Sequence, residues 1–399
     1  MISPELVLGW ALSNYISARK NTQKIVAYQK SHAGSSEDGG EEEADWTMAH
    51  SMYAEIGGFF VRFPRRQEPE RKPGPPATGS GSGTWRRWLD EFVEDNERGH
   101  PFLGPYDWKV HPEHYSLAKD LLESEVLDDP DSRRNCRALI GDVWVLSAGQ
   151  ILLAREFGII GKLPTITESE IRDKSKEDAL VKVLALVQAV WLAVELIIRA
   201  STGRQSSQIE IMALAFAVCA LLSYLLLLSQ PKDVSIPTVL PAVRGPKSTE
   251  FEAIVRRRVV TGPWPRRGYA MPNFATSLQD GGWVLLLGTV GGLLVFGSVH
   301  LIAWNFEFPT ATEGLLWKIS ALVVALLPTA WLMSVFCLAV CWPTDDGDWG
   351  KRDDVIFWVF VILFSFPRLF LLVEAVRSTY YLPPSSYTSS WANNIPRVG

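Results

Sequence analysis

The sequence predicts an all-α protein: a polytopic membrane helix bundle with five transmembrane helices and a partly disordered polar N-terminal region. The main observation is that the apolar residues of the C-terminal half gather into five runs. A helix needs about 20 apolar residues to cross a hydrocarbon core about 30 Å thick, and each run reaches that length. The 16 tryptophans among 399 residues add support, because tryptophan favours membrane interfaces, where its ring is half wet and half dry.

The N-terminal half is acidic and divides into short segments. Residues 1–33 are predicted to form an amphipathic segment at the membrane interface or the end of a longer helix, since a basic leader region is missing. Residues 34–84 are acidic and Pro/Gly/Ser-rich linkers around an apolar island at 45–63. The linkers are predicted to be disordered because they cannot bury enough apolar surface. The island, by contrast, must pack against other apolar residues.

Residues 85–166 are predicted to contain cytoplasmic amphipathic helices, the first of them at 85–98. The stretch 138–160 is apolar but interrupted by charges, so we expect a helix that lies on the membrane or against the bundle, not a sixth span. Thr167 and Glu170 form a capping box, and no helix breaker separates them from the first apolar run. This pattern predicts one continuous helix of about thirty residues, about 45 Å long.

The transmembrane bundle is predicted over residues 167–399. Its five spans are 179–200, 209–229, 282–304, 315–342 and 355–381. Pro328 and Pro367 fall inside the last two and are expected kink sites. The loop 230–281 carries eight Lys and Arg residues and the loop 305–314 carries none, which places 230–281 and the N-terminal half in the cytoplasm.

Six stretches of the chain resemble a large family of fungal multi-pass membrane proteins with no assigned function. They are SPELVLGWALSNYISARK, DWTMAHSMYAEIGGFFV, LPTITESEIRDKSKEDALVKVLALVQAVW, IEIMALAFAVCALLSYLL, HLIAWNFEFPTATEGLLWKIS and RLFLLVEAVRSTYYLPPSSYTSSWANNIPRVG. The resemblance implies a multi-pass membrane protein and supplies no chemistry. Members of that family continue upstream with further hydrophobic helices, so the resemblance leads us to expect a short member or a truncated chain.

An intramembrane polar cluster is the first candidate site, and its members are Glu195, His300, Lys318, Arg368 and Glu374. A charge at the bilayer centre costs about 2.5–3.5 kcal/mol or more, so these groups must find partners. Counting 1.5 Å per residue from each span entry puts all five within a slab about 10 Å thick. We predict an Arg368–Glu195 pair with His300 close by, and a Glu374–Arg377 pair. Such a cluster serves either an ion or ligand path or interhelical pairing, and we favour pairing.

A basic, lipid-facing loop is the second candidate, with Arg256, Arg257, Arg258, Arg266 and Arg267. These residues suit contact with an anionic leaflet, and the alternative is a topology signal without a specific partner. In the third span, Gly288 and Gly292 form a GxxxG motif that lets another helix approach closely. We interpret the motif as a packing face more than as a defined dimer interface.

Catalytic, metal and cofactor sites are not predicted. His300 is the single histidine of the five spans, whereas a zinc hydrolase needs about three protein ligands. His111 and His114 are predicted surface residues, and His50 is expected to pack within the apolar island. The sequence contains no H-E-x-x-H, G-x-S-x-G, Walker A or dinucleotide fingerprint. Nucleic-acid binding is not expected beside a membrane without a recognised fold.

The function hypotheses follow from this architecture. The first is a non-enzymatic membrane scaffold or sensor, integral to a cellular membrane, with the lipid bilayer as its partner and its oligomeric state open. The alternative is a channel or transporter that uses the buried polar cluster. A membrane-embedded enzyme is third, because the catalytic groups are missing.

Overall fold

The computed structural model of the protein describes most of both halves of the chain. The described residues are 3–32, 44–64, 111–124, 127, 132–133, 135–136, 139–175, 179–201, 206–232, 234, 236–257, 260–261, 276–277, 282–341 and 349–381. The predicted linkers fall mainly within 33–43 and 65–110, which lie outside the described residues, as does the helix predicted at 85–98.

Helices dominate the described part of the chain, as predicted. They are α1 Pro4–His32, α2 Met48–Glu55, α3 Pro112–Glu123, α4 Ala148–Glu156, α5 Glu168–Lys174, α6 Ala179–Ser201, α7 Gln208–Leu226, α8 Ser248–Arg257, α9 Trp283–His300, α10 Ala311–Cys341 and α11 Trp349–Ser378. Short 3-10 turns follow α9 at Leu301–Asn305 and α11 at Thr379–Tyr381. Both predicted kink prolines lie within continuous helices, Pro328 in α10 and Pro367 in α11.

Strands correct the all-α prediction. They are β1 Phe59–Arg62, β2 Val143–Val145, β3 Thr238–Pro241, β4 Val260–Thr261 and β5 Thr276–Ser277. β1 is the central strand of a small sheet, antiparallel to β2 and parallel to β3, and β4 pairs with β5. The first three residues of β1 are all buried, so the strand lacks the apolar–polar alternation by which a half-buried strand is recognised in a sequence.

The described chain forms two compact units, and each is built from separated segments. We call residues 1–12, 178–228 and 283–399 the helical unit, and residues 13–177 and 229–282 the mixed unit. The predicted domains, by contrast, are consecutive blocks of the sequence, and they stay a prediction. The loop 230–281 joins the N-terminal half in the mixed unit, and the first twelve residues join the helical unit.

The mixed unit has an apolar core of its own. The predicted island at 45–63 supplies α2 and β1, whose Tyr53 and Phe59 are fully buried. Trp144 of β2 and Phe251 of α8 complete the aromatic part of the core, with their ring centroids 5.7 Å apart. The single helix predicted at 138–160, on the membrane or against the bundle, is therefore wrong, since this stretch contains β2 and α4, which pack inside this core.

The continuous helix predicted from Thr167 into the first span is also wrong. The capping box forms, because the Glu170 side chain accepts from the Thr167 amide and the Thr167 hydroxyl from the Glu170 amide. The helix ends at Ser175, whose backbone is extended (φ −76°, ψ 122°). The Ser175 hydroxyl accepts from the amide of Lys232 (3.0 Å) and lies 3.2 Å from its carbonyl oxygen. A tertiary hydrogen bond thus forms at the residue that follows the last helical residue.

The helical unit contains the candidate membrane spans. Among the described residues, four helices are long and apolar enough to cross a membrane: Gln208–Leu226, Trp283–Asn305, Ala311–Ser334 and Trp358–Tyr381. The predicted count of five is therefore not matched. The run at 179–200 does form a helix of 23 residues, α6, but it is not among the four.

The GxxxG face of α9 packs against the first turns of α1. A Cβ atom added at Gly288 would lie 2.8 Å from the Cα of Gly9, and one added at Gly292 would lie 2.9 Å from the Cβ of Glu5. Contacts this short leave no space for a side chain. The glycines therefore serve a helix contact within the chain, as a packing face does, and they bring Glu5 into the helical unit.

Candidate functional site

A buried ion pair joins α1 to α11. The guanidinium Nη1 of Arg368 donates to the carboxylate Oε1 of Glu5, and the Glu5 side chain is only 1% exposed. The Arg368 guanidinium also lies over the rings of Phe296 (5.1 Å) and Phe364 (5.8 Å). Aromatic faces stabilise a cation where water is excluded. Arg368 therefore has one anionic partner and two aromatic ones.

Glu5 was not predicted, and the expected Arg368–Glu195 pair is wrong. Arg368 binds Glu5, and Glu195 instead accepts from Arg199 of its own helix at 2.8 Å. No sequence signal identified Glu5. The GxxxG motif of α9 predicts that another helix approaches closely, but it does not indicate which helix or which residue.

A second set of ion pairs lies where α6 ends and α7 begins. Arg199 is 7% exposed and donates to both Glu195 (2.8 Å) and Glu210 (2.9 Å). Glu210 also accepts from the backbone amide of Ser207, the N-cap of α7. The capping box of α7 is thus joined to α6 through one arginine.

A third set joins α10 to α11. Arg377 donates to Glu374 at 3.1 Å and also pairs with Glu313 near the start of α10. The predicted Glu374–Arg377 pair is therefore confirmed. The Glu374 side chain is 3% exposed, and its Oε1 atom has no hydrogen-bond partner among the described residues.

The remaining two members of the predicted cluster have different surroundings. His300 is fully buried in α9, where its Nδ1–H donates to the Phe296 carbonyl at 2.7 Å. Its Nε2 atom has no hydrogen-bond partner among the described residues. Lys318 lies with its ammonium 5.2 Å from the ring centroid of Trp304. Arg368 and His300 thus share Phe296 as a neighbour, and the other three predicted residues have partners of their own.

The predicted basic loop is partly folded into the mixed unit. Phe251, Ile254 and Val255 of α8 are buried in its core. Arg256, on the exposed side, pairs with Glu252 at 2.8 Å, and Arg257 ends the helix. The other three arginines of this loop lie outside the described residues; they are Arg258, Arg266 and Arg267.

His114 corrects the expectation of a surface residue. It is fully buried in the mixed unit, with its ring centroid 4.4 Å from that of Phe63 and 4.7 Å from that of Trp144. Its Nδ1–H donates to the Gly141 carbonyl at 2.7 Å. Burial lowers the pKa of His114 to about 3, so the imidazole is neutral at neutral pH.

His50 packs inside the apolar island, as predicted. Its Nδ1 atom accepts from the Thr47 amide at 3.1 Å, and its Nε2–H donates to the Ile166 carbonyl at 2.7 Å. Burial lowers the pKa of His50. Its two ring nitrogens are both used in structural hydrogen bonds. No group of three or more His, Cys, Asp or Glu residues in the described part of the chain is arranged to hold a metal ion.

Comparison with known families shows that residues 127–251 match a family of unknown function (DUF8562). The matched stretch contains α6 and α7 of the helical unit as well as β2, β3, α4 and α5 of the mixed unit. No curated protein and no solved structure matches the chain. The resemblance to fungal multi-pass proteins stays a prediction, and the matched family supplies no chemistry.

Proposed function

We propose that this chain is a non-enzymatic integral membrane protein, a scaffold or sensor, with five membrane-crossing helices. Four of them are α7, α9, α10 and α11, which have the length and apolar character of spans. The fifth is α6. Its assignment rests on an argument about the path of the chain and on the surface that the helix exposes.

The path of the chain requires an even number of crossings between Ser175 and Ser229. Both residues belong to the mixed unit, where β1 from the N-terminal half pairs with β3 from the loop 230–281. A unit with one packed core lies on one side of a bilayer. Because α7 crosses once and α6 is the other long helix in that stretch, α6 crosses as well.

The surface of α6 supports this crossing. Its exposed residues are large and apolar, with 59% of Val183, 53% of Val187 and 67% of Ile197 accessible. A contiguous apolar surface of this kind is rare on a soluble protein and is typical of a surface that contacts lipid. The eight-to-zero excess of Lys and Arg in the loop 230–281 over 305–314 supports a cytoplasmic mixed unit.

The ion pairs of the helical unit favour a scaffold or sensor over a channel. Each described Arg and Glu side chain of the five helices has an oppositely charged partner inside the helical unit. Charges paired in this way hold helices together, and they are not available to line an ion path. A buried pair that bridges helices also resists rearrangement, because separating it strands a charge in a region without water.

A channel or transporter is the second candidate. It is favoured by buried polar atoms without hydrogen-bond partners among the described residues, which include Nε2 of His300 and Oε1 of Glu374. Flux of protons and alkali cations into proteoliposomes separates the two functions. A scaffold gives the flux of protein-free liposomes. Flux well above that level, lost in His300→Leu or Glu374→Gln, would assign transport.

Contact with anionic lipid through the loop 230–281 belongs to the same proposal. Each basic residue near an anionic surface contributes about 1 kcal/mol, so five arginines form an effective patch. Binding of a peptide covering 256–267 to phosphatidylserine vesicles tests this contact. The Gln-substituted peptide should bind far less, and equal binding by the two peptides would end the idea.

A further inference from the structure

The surface of the helical unit carries an apolar groove between α6 and α7. Its volume is about 320 Å³, and its lining is almost entirely apolar. Alanines form much of this lining, so a neighbouring side chain or helix could come close to both backbones. The lining includes Ala189 and Leu192 of α6 and Ala217, Ala220 and Leu221 of α7.

Gln188 and Tyr224 are the two residues of this lining with polar side-chain atoms. Gln188 is exposed on the outside of the helical unit. Among the residues that the structure describes, none forms a hydrogen bond with its amide. Gln188 is nine residues from Ala179, or about 14 Å along the helix, which is close to the middle of a hydrocarbon core about 30 Å thick.

The chemistry at this depth restricts what can occupy the groove. An acyl chain fills an apolar groove but offers no donor or acceptor to an amide. Lipid headgroups and water lie about 15 Å away at the interface, and an unsatisfied polar group in hydrocarbon is costly. The remaining source of hydrogen bonds at mid-depth is a polar side chain of another helix, and such contacts hold helices together in membranes.

We propose that the occupant is α6 of a second copy of this chain, in a two-fold dimer centred on Gln188. A two-fold interface brings the same residue of both chains to its axis. A glutamine carries both a carbonyl acceptor and NH₂ donors, so two Gln188 side chains can satisfy each other with two hydrogen bonds. An ionised glutamate or lysine at this position could not pair with its own copy. The proposal rests on the membrane crossing of α6 proposed above.

Energy transfer between two labelled copies in liposomes tests the dimer. Full-length chains carrying donor or acceptor fluorescent proteins at the C-terminus are co-reconstituted over a range of protein-to-lipid ratios. Gln188→Leu removes the amide and keeps an apolar side chain. Gln188→Asn keeps the amide, and Val190→Leu changes an exposed residue of α6 that does not line the groove.

The dimer predicts energy transfer above that of a monomeric membrane reference for the wild type, Gln188→Asn and Val190→Leu. Gln188→Leu should weaken association about three- to thirty-fold, the range expected for interhelical hydrogen bonds in membranes. Monomeric wild type, or Gln188→Leu equal to wild type, would overturn the proposal and leave lipid or a different protein as the occupant.

A separate readout keeps this result distinct from the crossing of α6. Cysteines placed at Lys174 and Ser201 flank the helix and are labelled with an impermeant thiol reagent in the same liposomes. If the two cysteines are labelled from opposite sides while the wild type is monomeric, the dimer is refuted and the crossing of α6 stands. Labelling of both from one side refutes the crossing itself, and the dimer with it.

Discussion

Arg368→Gln is the substitution with the largest expected effect on the helical unit. It removes the cation that pairs with the carboxylate of Glu5, which is 1% exposed. Loss of one member of a buried ion pair costs about 3–5 kcal/mol, because it leaves an uncompensated charge without water. The contacts of Arg368 with Phe296 and Phe364 are lost as well, and each such contact contributes about 0.5–2 kcal/mol.

Two further variants separate the pair from general damage to α11. Arg368→Glu combined with Glu5→Arg restores opposite charges and should recover part of the loss. Arg368→Met combined with Glu5→Leu removes both charges, and replacement of a buried pair by apolar residues is often close to neutral. The double apolar variant should therefore be more stable than Arg368→Gln alone.

An exposed ion pair provides the matched control. Arg172 pairs with Glu168 one helical turn away in α5, and the two side chains are 77% and 34% exposed. Exposed pairs contribute between about 0 and 1 kcal/mol, so Arg172→Gln should change stability little. The assay is reversible unfolding of the full chain in mixed micelles by SDS titration. A loss for Arg368→Gln as small as that for Arg172→Gln would refute the buried-pair interpretation.

Two other predictions concern packing and pH. Gly288→Ala places a Cβ 2.8 Å from the Cα of Gly9 and should cost about 1–3 kcal/mol of stability. Gly291→Ala is the control, because no atom lies within 4 Å of the new Cβ. It should be neutral or stabilising by up to about 1 kcal/mol. Equal melting temperatures would contradict the α1–α9 contact. Burial holds the pKa of His114 at about 3, below its ordinary 6.5, so the unfolded state binds the proton first as pH falls. The free energy of unfolding that His114 contributes is fully present above pH 6.5 and is lost towards pH 3, with about 2 kcal/mol lost at pH 5. His114→Gln should remove this part of the pH dependence of stability. An unchanged pH dependence would argue against a buried neutral imidazole.

The long apolar runs of the helical unit were predictable because membrane length and apolar content are read directly from a sequence. The capping box at Thr167 and Glu170 was predictable for a similar reason, since its residues are three positions apart. The end of that helix at Ser175 was not predictable, because it depends on a hydrogen bond to Lys232, 57 residues further along the chain.

The mixed unit and the Glu5 pair were missed for related reasons. β1 and β3 are about 180 residues apart in the chain, and their pairing leaves no local periodicity. The buried run Phe59–Val61 reads equally well as part of an apolar helix. Glu5 lies in a segment that looked interfacial, and its partner Arg368 is 363 residues away. Counting residues from the start of each predicted span showed that Arg368 lies deep in the membrane and needs an anionic partner. The count did not show which carboxylate that partner is.

Cysteine accessibility at three positions tests the five-span arrangement most directly. Ser169, Ser248 and Thr312 are exposed in the structure and are replaced singly by cysteine in a chain whose four native cysteines are changed to alanine. Ser169 and Ser248 belong to the mixed unit, so an impermeant thiol reagent should reach both from the same side of sealed vesicles. Thr312 should react from the opposite side. Labelling of Ser169 and Ser248 from different sides, or of Thr312 from the same side as Ser248, would contradict a five-span membrane protein.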